Sequence, residues 1–270
     1  MGRLLRMLEE ARAGLADRMT GTRHGGDRTR AQRAYYAATA AAYERTHVGE
    51  FDEHMRALLY AVAILRAHQV RTVLDVGTGT GRAAKALREA GFDAVGIEPV
   101  RELLVAGRRS GLEGIPMFRG EGSALPFRDD SFDAVCEFGV LHHVKNPRPV
   151  VDEMLRVARK AVLLSDTNRF GRASMTSRLA KLALWKLGAW PLAYRVWTRG
   201  RGCDLSECDG VAYSYSVYDS LNQVARWADR VMLIPTKVEG SPRRGWMHPL
   251  LTSSHILLCG AREFDEWART

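Results

Sequence analysis

Thr72-Val73-Leu74-Asp75-Val76-Gly77-Thr78-Gly79-Thr80-Gly81 is an apolar run that carries one acid and opens into alternating glycines. The helix-forming Arg82-Ala83-Ala84-Lys85-Ala86-Leu87-Arg88 follows at once. Strand, glycine turn and helix in this order hold a nucleoside cofactor at the edge of a parallel sheet. Glycine lets backbone approach the ligand where a Cβ would collide with it or forbid the turn. Two cofactor classes use such a turn, and they differ in spacing. The dinucleotide fingerprint GxGxxG needs a third glycine at position 82, which is Arg82 here, and a helix N-terminus free for pyrophosphate. This chain has GxGxG, with Asp75 ahead of it.

Partner motifs follow in order. Asp93-Ala94-Val95-Gly96-Ile97-Glu98 reads as a second strand ending in an acid, at about the interval where nucleotide-binding sheets place a ribose-binding carboxylate. A carboxylate accepts hydrogens from both ribose hydroxyls; an acid that is merely solvated at a strand end is the plain alternative. Ile115-Pro116-Met117-Phe118-Arg119 reads as a third strand leading into Gly120-Glu121-Gly122-Ser123-Ala124-Leu125-Pro126-Phe127. Asp130-Ser131-Phe132-Asp133 then opens the fourth strand, which exits through Glu137-Phe138-Gly139-Val140-Leu141-His142-His143-Val144.

These four motifs resemble those of class I S-adenosylmethionine (SAM)-dependent methyltransferases, in particular the small-molecule type represented by ubiquinone-biosynthesis enzymes and sugar or natural-product O-methyltransferases. The resemblance covers residues 72 to 144 and implies an α/β, Rossmann-like sheet of seven strands in the order 3-2-1-4-5-7-6, the last antiparallel. It implies SAM as cofactor, no metal, and cofactor contacts at Asp75, Gly77, Thr78, Gly79, Glu98, Pro99, Glu121, Gly122 and Glu137. Glu121 stands where the family's acid reads the adenine edge, although Asp is commoner there. Tyr35-Tyr36 through Tyr43-Glu44 is similar to the family's aromatic, alanine-rich helix that folds over the cofactor, which makes Tyr36 and Tyr43 lid residues. Ala37 departs from the usual acid, and a helix that only packs is the competing reading.

The exit of strand four lies beside the transferable methyl group. Because the SAM methyl is already electrophilic, the enzyme needs alignment and a nucleophile in the right protonation state. For a hydroxyl acceptor, a histidine of ordinary pKa near 6.5 is a suitable base. His142 and His143 stand at that exit, and Asp166 ends the fifth strand, Ala161-Val162-Leu163-Leu164-Ser165-Asp166. His143 is the preferred base with Asp166 orienting it; imidazoles that only pack or cap the next helix are the alternative. Neither Asn-Pro-Pro-Tyr nor paired cysteines suited to base C5 attack follow strand four, which argues against methylation of nucleic-acid bases.

Composition bounds the rest. The 270 residues are 46% hydrophobic, enough for one large core with an appended cap. No apolar window is long enough to span a membrane and Met1 to Arg6 lacks a secretion signal, so the expected compartment is the cytoplasm. Cys136, Cys203, Cys208 and Cys259 form no CxxC and read as plain thiols. Leu4, Leu8, Ala11, Leu15 and Met19 recur at helical spacing, followed by a polar linker over Thr20 to Asp27. Residues 1–30 therefore read as an extension, either mobile or mediating dimer contacts, and residues 31–270 as the catalytic domain. Met55, Leu58, Leu59, Val62 and Leu65 mark a helix that covers the sheet. Pro147 to Lys160 reads as a helix, Arg230 to Pro235 as strand six, and Ser254 to Gly260 as strand seven.

The net charge of +9 is concentrated. Thr167 to Cys203 holds Arg169, Arg172, Arg178, Lys181, Lys186, Arg195, Arg199 and Arg201 and no acid, together with Trp185, Trp190 and Trp197. About 167–226 therefore reads as an inserted cap whose aromatic inner face shapes an apolar pocket for a small-molecule acceptor. Arg178, Lys181 and Lys186 do not share one helical face, which disfavours a membrane-interface helix. Methylation of RNA or a lipid phosphate through this basic segment, and a non-catalytic SAM- or NAD-binding protein, are the competing functions.

Overall fold

The computed structural model describes residues 25–40, 53–112, 114–206, 210–238 and 248–263. The expected helix over residues 3–19, Tyr43, Cys208, and Pro242 and Gly245 of the loop before Pro249 lie outside them.

Strands β1 (Thr72–Val76), β2 (Asp93–Glu98), β3 (Met117–Arg119), β4 (Phe132–Phe138) and β5 (Ala158–Thr167) run parallel. A two-stranded hairpin, β6 (Asp204–Ser206) and β7 (Gly210–Ala212), stands off the main sheet. Strand β8 (Arg230–Val238) and the antiparallel β9 (Ser253–Ala261) complete it, giving the order β3-β2-β1-β4-β5-β9-β8. Counted within the sheet, that is the expected 3-2-1-4-5-7-6.

Neighbouring residues of a strand point to opposite faces, so a sheet covered on both sides needs apolar residues at every position. Leu74, Val76, Val135, Val162 and Leu164 pack on one side with Met154 and Phe170. Val73, Ala134, Cys136, Leu163 and Leu257 pack on the other, under helix Glu53–Ala67. In that helix the buried face is Ala57, Leu58, Ala61 and Leu65, whereas Leu59 is 61% exposed. Leu59 lies about 100° around the helix from Leu58, which takes it off the face that Ala57 and Ala61 bring close to the sheet.

Two further boundaries differ from expectation. The helix before β5 ends at Val157, and Ala158 already pairs with Phe132. Arg159 and Lys160 continue the strand, where Arg159 reaches the buried Asp133 of β4. Helix Gly25–Thr39 begins inside the stretch read as a linker. Glycine is among the residues accepted at a helix N-terminus, so Gly25 and Gly26 are tolerated there.

Gly107, at the end of helix Arg101–Gly107, lies against the glycine turn. A Cβ at Gly107 would meet the Thr80 carbonyl oxygen at 2.0 Å, and backbone cannot swing aside as a side chain can. Gly107→Ala is therefore expected to cost about 1 to 3 kcal/mol in chemical denaturation. It should also weaken cofactor binding, since the displaced backbone is the turn itself; an unchanged midpoint would show that the helix simply slides.

The cap is built from helices Met175–Lys186 and Trp190–Trp197. Its aromatics do not all turn inward. Trp185 packs on the core cluster, while Trp197 is 82% exposed and Leu187, Leu192 and Val196 are exposed with it. Among the described residues, no helix is long and apolar enough to cross a membrane.

Candidate functional site

The carboxyl ends of β1, β2, β4 and β5 converge on one edge of the sheet. At the end of β1, Gly77, Gly79 and Gly81 all have positive φ, at 74°, 58° and 95°. A Cβ at Gly77 would meet Val140 Cγ2 at 2.4 Å, so the turn and the exit of β4 are packed backbone against side chain. The amides of Gly77 and Thr78 both donate to the Ile97 carbonyl, at 2.8 and 3.1 Å, tying the turn to β2. Asp75 is buried and accepts from Thr78 Oγ1 at 2.6 Å. Burial raises its pKa to about 6 against the hydrogen bonds from Thr78 and the Ala84 backbone.

Glu98, 5% exposed, accepts from Gly79 N at 3.1 Å and Val100 N at 2.9 Å. Burial pushes its carboxyl up to about 7, opposed by those two hydrogen bonds and reinforced by Asp75 and Glu121. Beside it the Pro99 carbonyl accepts from Arg119. Gly122 is held close, because a Cβ there would touch Val76 and Val150 at 3.1 Å each. Glu137 is fully buried at the tip of β4: Oε2 accepts from Val140 N at 2.9 Å and Oε1 has no partner. Burial first, and then the charge of Asp166, raises the Glu137 pKa well above its usual range.

Helix Gly25–Thr39 lies across these strand ends. Arg33 pairs with Glu121 at 2.6 Å, and Tyr36 packs with Val100 and Leu103 beyond β2. The Tyr36 hydroxyl reaches His143 Nε2 at 2.9 Å, so one side chain spans from the β2 side to the β4 side. Glu121 thus faces a guanidinium on the covering helix, an exposed contact worth at most about 1 kcal/mol.

The two histidines take different partners. His142, 8% exposed, places Nδ1 at 2.8 Å from Asp166 Oδ1 and donates its backbone N–H to Asp166 Oδ2 at 3.1 Å. Asp166 therefore orients His142, not the His143 that the sequence reading preferred. The reason is register: Phe138 pairs with Ser165, so the chain leaving β4 brings His142 back onto the next residue of β5. Although burial opposes ionisation, His142 and the Thr167 amide hold the Asp166 pKa down at about 2. His143 Nδ1 faces the Val211 carbonyl at 2.6 Å, which accepts only, so that nitrogen carries the proton and Nε2 accepts from Tyr36.

Three contributors escaped the sequence reading. Gln32 Oε1 accepts from Val211 N at 2.5 Å, and its amide nitrogen lies 3.3 Å from His143 Nδ1. Hairpin β6–β7 supplies the Val211 carbonyl, and its short strands give no alternation to detect. His54 contacts Ser165 Oγ at 3.2 Å and sits over Gly139, where a Cβ would meet its Nε2 at 2.8 Å. A lone histidine at a helix start carries no sequence signal for such a position.

With this geometry in view, residues 74–165 match the family described as a methyltransferase domain. Over that stretch the chain carries a class I SAM-dependent methyltransferase domain. An uncharacterized methyltransferase of Mycolicibacterium vanbaalenii is 43% identical to it over 89 residues, 33% of this chain and 35% of that protein. A demethylmenaquinone methyltransferase of Renibacterium salmoninarum is 39% identical over 87 residues, 32% of this chain and 36% of that one. The chain thus spans about a third of the length of the curated relatives it matches. The crystal structure of magnesium protoporphyrin IX methyltransferase from Synechocystis, with bound S-adenosylhomocysteine, superposes with a TM-score of 0.56 at 16% identity, covering 87% of this chain and 99% of that one. At that identity it establishes the fold of the methyltransferase domain.

The cofactor fits the residues present. A left-handed glycine turn that no Cβ could enter, a buried carboxylate at the end of β2, and an unpartnered buried oxygen on Glu137 make a cradle for a nucleoside carrying an amino-acid tail. Among the described residues, no group of three or more His, Cys, Asp and Glu could hold a metal ion. Cys136, Cys203 and Cys259 are buried free thiols.

Proposed function

We propose that this chain is a SAM-dependent methyltransferase acting on a hydroxyl of a small molecule, of the sugar or natural-product kind. The observation that carries the reading is the His142–Asp166 pair, 2.8 Å apart, at the exit of the strand next to the glycine turn. SAM, when bound, supplies an electrophilic methyl group at that exit. Asp75, Gly77, Thr78 and Gly79 shape the glycine turn; Glu98 and the Pro99 backbone would hold the ribose, Glu121 and Gly122 would flank the adenine, and Glu137 would lie beside the bound cofactor at the end of β4. Tyr36 closes over the nucleoside, tethered to His143.

His142 is the base. With Nδ1–H committed to Asp166, the lone pair lies on Nε2, and Asp166 stabilises the imidazolium that forms when Nε2 takes the acceptor's proton. Asp166 is a positioning residue, and His143 fixes the lid. Burial raises the Glu137 pKa while His142 helps hold Asp166 low, so the two neighbouring carboxyls are pushed in opposite directions.

Calorimetry with SAM, S-adenosylhomocysteine and NAD tests the cofactor: the first two bind at one site per chain and NAD does not. Incubation with methyl-labelled SAM and a panel of hydroxylated metabolites then tests the reaction, and label recovered in the organic acceptor is the expected result. Stronger binding of NAD than of SAM would sink the reading outright.

A further inference from the structure

Behind the histidine loop, between the cap helices and residues 213–220, lies a cavity of about 660 Å³. That size suits one small molecule, for which sites of roughly 300 to 1,000 Å³ are usual. Its wall is cationic. Arg28, Lys145, Arg148, Arg169, Arg195 and Arg201 line it, with one acid, Asp219, which is taken up by Arg169. Among the described residues, Arg28 and Arg201 donate only to backbone carbonyls, of Arg201 and Thr198, and have no acidic partner. Among the described residues, Lys145, Arg148 and Arg195 have neither an ion pair nor a side-chain hydrogen bond.

Five such cations around one cavity repel one another, and the arrangement is relieved by an anion of more than one charge. Guanidinium forks match phosphate oxygens in geometry as well as sign. Two lining residues also carry buried polar atoms without a partner, Arg169 Nε and the Tyr213 hydroxyl. Both can donate. The remaining wall is aromatic: Trp190 stacks on Tyr194 with ring centroids 5.8 Å apart, and the Arg169 guanidinium lies 5.8 Å from the Trp190 centroid. Rings of this kind accept a planar or apolar body alongside the anion.

The cavity adjoins the methyl-transfer site. Val144 and Lys145 of its wall directly follow His143, and Tyr213 donates its backbone N–H to the His142 carbonyl at 2.7 Å. We propose that the cap cavity is the acceptor site and takes a phosphorylated small molecule, its phosphoryl group held by Arg148, Arg195 and their cationic neighbours and its ring set among Trp190 and Tyr194. The assignment rests on the methyl-transfer reading above, which puts the reacting end beside His142. A bounded cavity with converging charges differs from the extended groove and stacking track that a single-stranded nucleic acid requires.

Phenyl phosphate titrated into the protein saturated with S-adenosylhomocysteine tests the site, with inorganic phosphate and phenol as comparators. Phenyl phosphate is expected to bind about tenfold more tightly than either, since each comparator lacks one half of the recognition. In the double variant Arg148→Gln/Arg195→Gln its affinity should fall by about tenfold per guanidinium, with a shallower salt dependence, while S-adenosylhomocysteine affinity is unchanged. Equal binding by variant and wild type, or phenol binding as well as phenyl phosphate, overturns the proposal. So does a single-stranded RNA oligonucleotide that displaces phenyl phosphate at comparable concentration. Failure of S-adenosylhomocysteine to bind, with phenyl phosphate binding intact, would be a different result: it removes the methyl-transfer reading and the acceptor assignment with it.

Discussion

Glu98→Gln is expected to lower SAM affinity by about 10²-fold at pH 8 while the folded state survives. Gln keeps the shape and one acceptor oxygen, so Val100 N or Gly79 N retains a partner and no cavity opens. What it loses is the charge that two ribose hydroxyls would share, and charge-assisted hydrogen bonds are worth roughly 1.5 to 3 kcal/mol each. The pH dependence sharpens the test. Burial raises the Glu98 pKa to about 7 from a usual 4.5, so in the empty protein its ionised form is the strained one. The stability that Glu98 contributes is complete below its unfolded pKa and lost as pH rises through 7, whereas hydroxyl donors favour the ionised form. SAM affinity should therefore rise with pH from 6 to 8 and then level off, with proton release on binding below 7. Titration calorimetry in buffers of different ionisation enthalpy reads this directly. A flat profile in the wild type, or Glu98→Gln binding as wild type does, would remove the ribose assignment.

The second large effect falls on turnover. Asp166→Asn and His142→Gln are each expected to lower the single-turnover rate by about 10² to 10⁴-fold, the usual range for a positioned acid or base, with SAM affinity within about threefold of wild type. Asp166 accepts from His142 Nδ1, His142 N and Thr167 N, so an amide in its place leaves one contact mismatched and the imidazole free to take the other tautomer. The wild-type rate should show an acidic limb where the base is protonated, and His142→Gln should abolish that limb. Asp166 titration does not blur the profile: its pKa is depressed from 3.8 to about 2, so its stabilising contribution is complete above pH 4 and lost only as pH falls through 2. A folded His142→Gln variant with the wild-type pH profile would show that the pair is a packing feature. His143→Ala is expected to act differently: it removes the partner of the Tyr36 hydroxyl and, with Tyr36 as the proposed lid, should raise the SAM dissociation constant more than it lowers the rate.

The glycine run with Asp75, the acid ending β2, and the Leu-His-His-Val exit are local patterns, and local patterns are what a linear chain displays. A parallel strand buried on both faces must be apolar throughout, and a left-handed turn against Val140 must be glycine, so the fold and the glycine turn were legible from residues 72 to 144. Which histidine receives Asp166 was not, because that depends on the register of β4 against β5 and on the turn of chain between them. The same holds for Tyr36, whose ring and hydroxyl serve opposite sides of the crevice, and for Gln32 and Val211, which meet across 179 residues. Basic residues of the cap were visible as a count; that Lys145 of the histidine loop and Arg148 at the start of the next helix join Arg195 and Arg201 around one cavity is decided by packing alone. Spacing along the chain reports the groups that share a strand or a turn, and only tertiary structure brings together the charges and imidazoles that do not.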